Sequence, residues 1–334
     1  MLATALLCGE LARRVRMPAV IGELLGGILL GPTWLNLFPV AAPGREVVAR
    51  IGLICFLFVA GLEVNIDHIR RQGLAVAGTS VGGILVPFAL AAGAVFAMPS
   101  VWRQPLTTRD TALFLGAALA ISALPVIARI IHDLGFERLP LSSVILASAT
   151  IDDVLGWSLF AAIAGSKAPL TTLTVVPFLL GALFSRKLGR MERLRWVVIR
   201  LVAPLFFVSL GLKVNFIANF DWRLVALVIV IASIGKIAGA MLGARLGGFA
   251  PREAAAIAIA MNARGAVEIV LASVALQVKL IDARLFVALV VMAVVTSVIA
   301  GPSMQAMLGE KSARSLQQGS SSLQSSGSAD DPAA

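Results

Sequence analysis

The sequence predicts an all-α, polytopic membrane protein built as an inverted repeat. Three observations lead there. First, 59% of the 334 residues are hydrophobic and 14% charged, with a mean hydropathy of +0.94; soluble domains average about 45–50% and about 25%. Second, the apolar residues form long runs instead of the alternation of a transmembrane barrel. Third, one ten-residue stretch recurs at an offset of 150 residues.

Charged or Pro/Gly breaks divide the chain into about eleven apolar segments, giving about 10–11 expected spans. Their approximate limits are 1–12, 17–37, 46–64, 73–98, 111–132, 141–165, 170–188, 196–214, 223–247, 253–278 and 284–308. The first is too short to span and lacks the basic start and small-residue cleavage site of a signal peptide; it reads as a span with its start missing. Residues 1–309 form the transmembrane unit, and the Ser/Gln/Gly/Asp-rich stretch 310–334 is expected to be a disordered cytoplasmic tail.

Basic residues set the expected orientation. Loops after odd-numbered segments carry 17 Lys/Arg, with a cluster at Arg186, Lys187, Arg190, Arg193, Arg195 and Arg200; the other loops carry nine. Positive charge stays on the cytoplasmic side, which places the N-terminus outside and the C-terminus inside. The net charge of +10 is accounted for by these loops, and no basic helix or aromatic platform points to nucleic acid. Cys8 and Cys55 form no disulfide or metal pattern, and His68 and His132 are far apart in sequence, each in an expected loop. No nucleophile–base or metal set suggests an enzyme, and no cofactor is implied.

The recurring stretch pairs Phe56-Leu57-Phe58-Val59-Ala60-Gly61-Leu62-Glu63-Val64-Asn65 with Phe206-Phe207-Val208-Ser209-Leu210-Gly211-Leu212-Lys213-Val214-Asn215. Segment three therefore matches segment eight. An odd separation in spans reverses direction, so residues 17–165 and 170–308 form inverted repeats. Segments five and ten then correspond, and both are interrupted. Segment five reads Ser122-Ala123-Leu124-Pro125, and Pro125 removes a backbone donor. Segment ten places Asn262, Arg264, Gly265 and Glu268 in an apolar run. Matched interrupted segments point to a transporter's binding cavity. Arg264 and Glu268, at i and i+4, share a helix face and can pair. Glu23, among glycines at 22, 26 and 27, reads as a hydrogen-bonded packing residue.

Asp152 and Asp153 carry the strongest signal. A carboxylate at bilayer depth costs at least ~2.5–3.5 kcal/mol, so two in a row need compensation or use. Asp152 lies ~17 Å along its segment at the rise of a helix, near the middle of a ~30 Å core. Lys236 has similar depth in segment nine. Adjacent helix residues point about 100° apart, so one aspartate can pair with Lys236 while the other faces a cavity; spacing does not assign them. A carboxylate that holds either a proton or a small cation links the two equilibria. Alternating exposure of such a site gives cation/proton exchange.

At these residues the sequence resembles the monovalent cation:proton antiporter-2 family, including its plant cation/H⁺ exchanger-like branch. The matching stretches are Pro18 through Pro32, Gly61 through Asn65, Ser122 through Arg129, Asp152-Asp153-Val154, Phe206 through Lys213, Lys236 and Asn262 through Gly265. The resemblance implies two crossed, unwound helices in a core domain beside a dimerisation domain. It implies that Asp153 is the principal proton carrier and binds the monovalent cation, while Asp152 pairs with Lys236. Ser122, Pro125, Asn262, Arg264 and Glu268 would then line the broken-helix cavity. The implied protein is a homodimeric inner-membrane (plasma-membrane) antiporter exchanging Na⁺ or K⁺ for H⁺, serving pH and cation homeostasis. Family members usually have thirteen spans; here about two are missing between Gly165 and Pro177. The alternative reading is a degenerate or truncated, non-transporting protein of the same fold.

Overall fold

In the computed structural model the regular secondary structure among the described residues is all helical, with no strand among them. Those residues are 1–14, 17, 19–37, 43–62, 73–102, 107–137, 139–165, 176–184 and 192–327. Glu63, Val64, Asn65 and His68 lie outside them, as do residues 166–175 of the stretch between Gly165 and Pro177 where spans are expected to be missing.

The first half contains α1 (Leu2–Arg14), α2 (Ala19–Leu30), α3 (Pro43–Leu62) and α4 (Gly73–Ala97), then α5 (Thr108–Ala120), α6 (Leu124–Asp133) and α7 (Pro140–Gly165). The second contains α8 (176–184) and α9, which runs from Glu192 to Gly211 through a π-turn at Val198–Val202. It continues with α10 (Trp222–Leu246), α11 (Pro251–Met261), α12 (Ala266–Gln277) and α13 (Ala283–Gly327). The last helix runs into the polar stretch where composition predicts disorder. Among the described residues, six helices, with α5 and α6 taken as one span, are long and apolar enough to cross a membrane, or seven if the bent pair α11–α12 counts as one. Others, such as Ala19–Leu30 and Arg50–Leu62, are shorter apolar helices.

Helix ends follow local chemistry. Thr107 caps α5 by accepting the Asp110 N–H at 3.2 Å, and Asp221 caps α10 by accepting the Arg223 and Leu224 N–H groups at 3.1 and 3.3 Å. Both use a side-chain oxygen to satisfy amides that have no helical partner. Pro125 sits in the first turn of α6, where its missing N–H costs nothing. It therefore starts a helix after a gap at residues 121–123. The second gap, after Met261, ends at Gly265; α11 and α12 are bent by 41° across it.

Close backbone approach fixes two helix pairs. A Cβ added to Gly239 or Gly243 of α10 would run into the backbone of Gly82 or Gly78 of α4. Glycine alone permits that distance, as in other membrane helix pairs. Gly211 of α9 similarly backs onto α2 at Leu24, Gly27 and Ile28. Beside that contact, Asn215 Nδ2 donates to the Pro32 carbonyl at 3.1 Å. The main apolar core joins α5, α7, α8, α9, α12 and α13 around Trp157, Phe160, Phe178, Phe206 and Phe286, all at most 1% exposed.

Candidate functional site: a charge cluster at two crossed helix breaks

The two gaps cross and are joined directly: the Ala123 N–H donates to the Ala263 carbonyl at 3.1 Å. Each gap leaves carbonyls at the end of a half-helix without helical donors, and those ends carry partial negative charge. The sequence supplies two cations for them. Lys236 Nζ donates to the Ala120 carbonyl at 2.5 Å. The Arg264 guanidinium donates to the carbonyls of Ala118 at 3.2 Å, Leu119 at 2.5 Å and Ile121 at 3.1 Å. Both side chains are 0% exposed. The last turn of α5 is thus closed by side-chain cations from α10 and from the second gap.

Asp152 sits beside that turn, near the middle of α7 and 0% exposed. Its Oδ2 accepts from Lys236 Nζ at 2.5 Å, and Ser122 Oγ lies 3.0 Å from the same oxygen. Its Oδ1 accepts from Ser80 Oγ of α4 at 2.7 Å. A buried charge is tolerated when paired and hydrogen-bonded, and Asp152 has both. Geometry thus selects Asp152 as the aspartate that faces the lysine. Asp153, one step round the helix, is 4% exposed.

Arg264 and Glu268 do approach, Nη1 to Oε1, but at 3.4 Å. Carbonyls take the shorter arginine contacts. Asn262 Nδ2 donates to Ser233 Oγ of α10 at 3.3 Å, and Ser297 of α13 donates to the Arg264 carbonyl. Among the described residues, Asn262 Oδ1, Arg264 Nε and Glu268 Oε2 are buried with no hydrogen-bond partner. Buried polar atoms left so by the protein are places for water or an ion. Ser122, Pro125, Asn262, Arg264 and Glu268 therefore all lie on or next to the two gaps. Glu23 lies apart, 4% exposed, with its carboxyl against Gly9 of α1. Its Oε2 has no hydrogen-bond partner among the described residues, which does not fit the hydrogen-bonded packing residue expected for it.

Sequence reasoning missed Ser80, Ser233 and Ser297, and it missed the carbonyls that hold Arg264. The available signal was a hydroxyl within an apolar segment, as in Thr79-Ser80. Serine is common enough in such helices that this signal is weak.

Crossed broken helices with buried charges at the gaps define a class of membrane antiporter folds, and a solved structure supports the assignment. The fold is similar to that of the sodium proton antiporter MjNhaP1 from Methanocaldococcus jannaschii, with a TM-score of 0.58 over 92% of this chain and 95% of that one, at 17% identity. The transmembrane sodium/hydrogen exchanger family matches residues 2–186 and 171–309, and the chain belongs to that family. It is 30% identical to Cation/H(+) antiporter 18 of Arabidopsis thaliana over 379 residues, covering 89% of this chain and 46% of that protein. It is 29% identical to the Na(+)/H(+) antiporter NhaS4 of Synechocystis over 380 residues, covering 89% of this chain and 93% of that one. The chain thus spans about half the length of the plant relative.

Both alignments are longer than the 334 residues of the chain, so they carry gaps on this side. The two family matches overlap at 171–186, next to the position where the sequence analysis expects missing spans.

Proposed function

We propose that the protein is a secondary antiporter that exchanges a monovalent cation, Na⁺ or K⁺, for protons. The observation that carries the reading is the Asp152–Lys236 pair, fully buried at the crossing of two half-helix ends. A static pair needs no second carboxylate. Asp153 supplies one a single residue away, and in this reading it binds either the cation or the proton. Lys236 and Ser80 hold Asp152 in place, while Arg264 and Lys236 neutralise the α5 end so that the gap stays open to an ion. Exposing Asp153 to each side in turn then exchanges one ion for the other. The protein works as a homodimer in the inner (plasma) membrane, N-terminus outside and C-terminus in the cytoplasm.

A second reading is a non-transporting relative of the same fold. The gapped alignments and the split family match favour it, because missing spans would remove scaffold from around an intact site. Purified protein in liposomes with an imposed pH gradient separates the two. Dissipation of the gradient on adding Na⁺, Li⁺ or K⁺ supports the antiporter; a folded protein with no response to any of them supports the second reading.

A further inference from the structure

Ser122 lies where α7, the first gap and the end of α11 meet. Its hydroxyl oxygen is 3.0 Å from Asp152 Oδ2 and 2.8 Å from the Met261 carbonyl oxygen. The residue is 1% exposed, so bulk water does not compete for these contacts. A hydroxyl has one proton to give. While Asp152 is ionised, both neighbours are acceptors, and Ser122 can serve only one. Once Asp152 carries a proton, its own O–H can donate to Ser122 Oγ, and the serine proton is free for Met261. The charge on Asp152 therefore selects which way Ser122 donates.

We propose that Ser122 is a hydroxyl switch linking the charge state of Asp152 to the end of α11. The proposal rests on the exchange reading and extends it: Asp152 changes protonation beside the carrier Asp153. Ser122 acts here as a positioning residue and need not touch the cation. With Asp152 ionised, Ser122 joins Lys236 and Ser80 around the carboxylate, and the Met261 carbonyl loses its donor. With Asp152 protonated, Ser122 ties the first gap to the α11 end. The Ala123–Ala263 backbone bond, at 3.1 Å, carries no charge and keeps the gaps joined in both states. Lys236 forms a parallel link, since one ammonium bridges Asp152 and the Ala120 carbonyl. The charged groups that interact with Lys236 beside this point, other than Asp152, are Arg264 from the second gap, Glu268 from α12 and Asp153 on α7. From α4, neutral Ser80 faces Asp152.

A hydrogen bond to a carboxylate favours its ionised form and is worth enough to move a titration by about one pH unit. Without the donor, the proton stays on to higher pH. In proteoliposomes, Ser122→Ala is expected to move the half-maximal pH of cation-driven proton movement upward by about one unit. Ser122→Thr keeps the hydroxyl and is expected to restore the wild-type profile. A folded, active Ser122→Ala with an unshifted profile overturns the proposal.

If wild type moves no cation, the antiporter reading fails but the switch can still be tested. The carboxylic-acid infrared band that vanishes in Asp152→Asn is titrated in wild type and in Ser122→Ala. A midpoint displaced upward supports the switch, and an unmoved one overturns it. Should Ser122→Ala fail to fold, Ser122→Cys replaces it: its weaker donor is expected to give a smaller shift in the same direction, and a wild-type midpoint overturns the proposal.

Discussion

Asp152 and Lys236 are each unaffordable alone in their surroundings, and that makes their coupling measurable. Removing one partner of a buried pair leaves an uncompensated charge and costs about 3–5 kcal/mol, whereas replacing both by neutral groups costs far less. Lys236→Met is therefore expected to lower thermal stability in detergent strongly, and Asp152→Asn with Lys236→Met together to recover most of the loss. A double-mutant cycle on melting temperatures checks this; additive losses would show that the pair is not coupled. Asp221 is a charge of another kind, half-buried at the start of α10. Burial pushes its carboxyl up, but the Leu224 N–H, the Arg284 guanidinium and the Arg223 N–H outweigh that and hold it below the ordinary carboxylate range. A carboxyl depressed in the folded state adds stability above its unfolded pKa of about 3.9, and that contribution is lost as pH falls through the folded value. Asp221→Asn keeps a capping side chain but loses the negative charge that pairs with Arg284, 2.6 Å away. It is expected to melt below wild type at pH 7 by less than about 1 kcal/mol, with the gap closing in acid. A gap that does not narrow as pH falls below about 3.9 would assign the effect to something other than charge.

The elements show what the sequence could and could not convey. Asp152, Asp153 and Lys236 were legible because a charge in an apolar run is costly and so draws notice. The gaps were legible from Pro125 and from the polar residues at 262–268, once the repeat set them side by side. The grip on Arg264 was not, because its acceptors are backbone carbonyls at 118, 119 and 121, which carry no residue signature. The sequence offered Glu268 at i+4 as the evident partner, and it turned out to be the longest contact. Arg264→Lys is thus expected to be poorly tolerated, since one ammonium cannot reach three carbonyls that a planar guanidinium spans. A loss of at least about 2 kcal/mol is expected from the buried acceptors left unmet, read as melting temperature in detergent. The α4–α10 contact gives a cleaner comparison. A Cβ at Gly243 would meet the Gly78 backbone, whereas one at Gly93 of α4 would meet nothing within 4 Å. Gly243→Ala should separate the helices that carry Ser80 and Lys236, while Gly93→Ala should be neutral or stabilising by up to about 1 kcal/mol. Equal melting temperatures for the two variants would contradict the packing account.

For the whole molecule, the two half-helix ends, four buried charged residues (Asp152, Lys236, Arg264 and Glu268) and the serines around them form one connected network. Its parts come from α4, α5, α7, α10, α11, α12 and α13, drawn from both halves of the chain. That distribution explains why no single stretch of sequence announced the site, and why a repeat of only ten residues was needed to relate its parts. It also locates the pressure point of the functional reading. The residues of the network are all among the described ones, while the stretch where the sequence analysis expects missing spans lies outside it. Transport then depends on whether the remaining helices can still shift around the network. The direct test is a pH-gradient assay in proteoliposomes of wild type and Asp153→Asn, with Na⁺, Li⁺ and K⁺ added in turn. The account expects wild type to dissipate the gradient with at least one cation and folded Asp153→Asn to dissipate it with none. A wild-type-like response in Asp153→Asn would contradict the assignment of Asp153 as the carrier, and a folded wild type silent to all three cations would contradict the exchange itself.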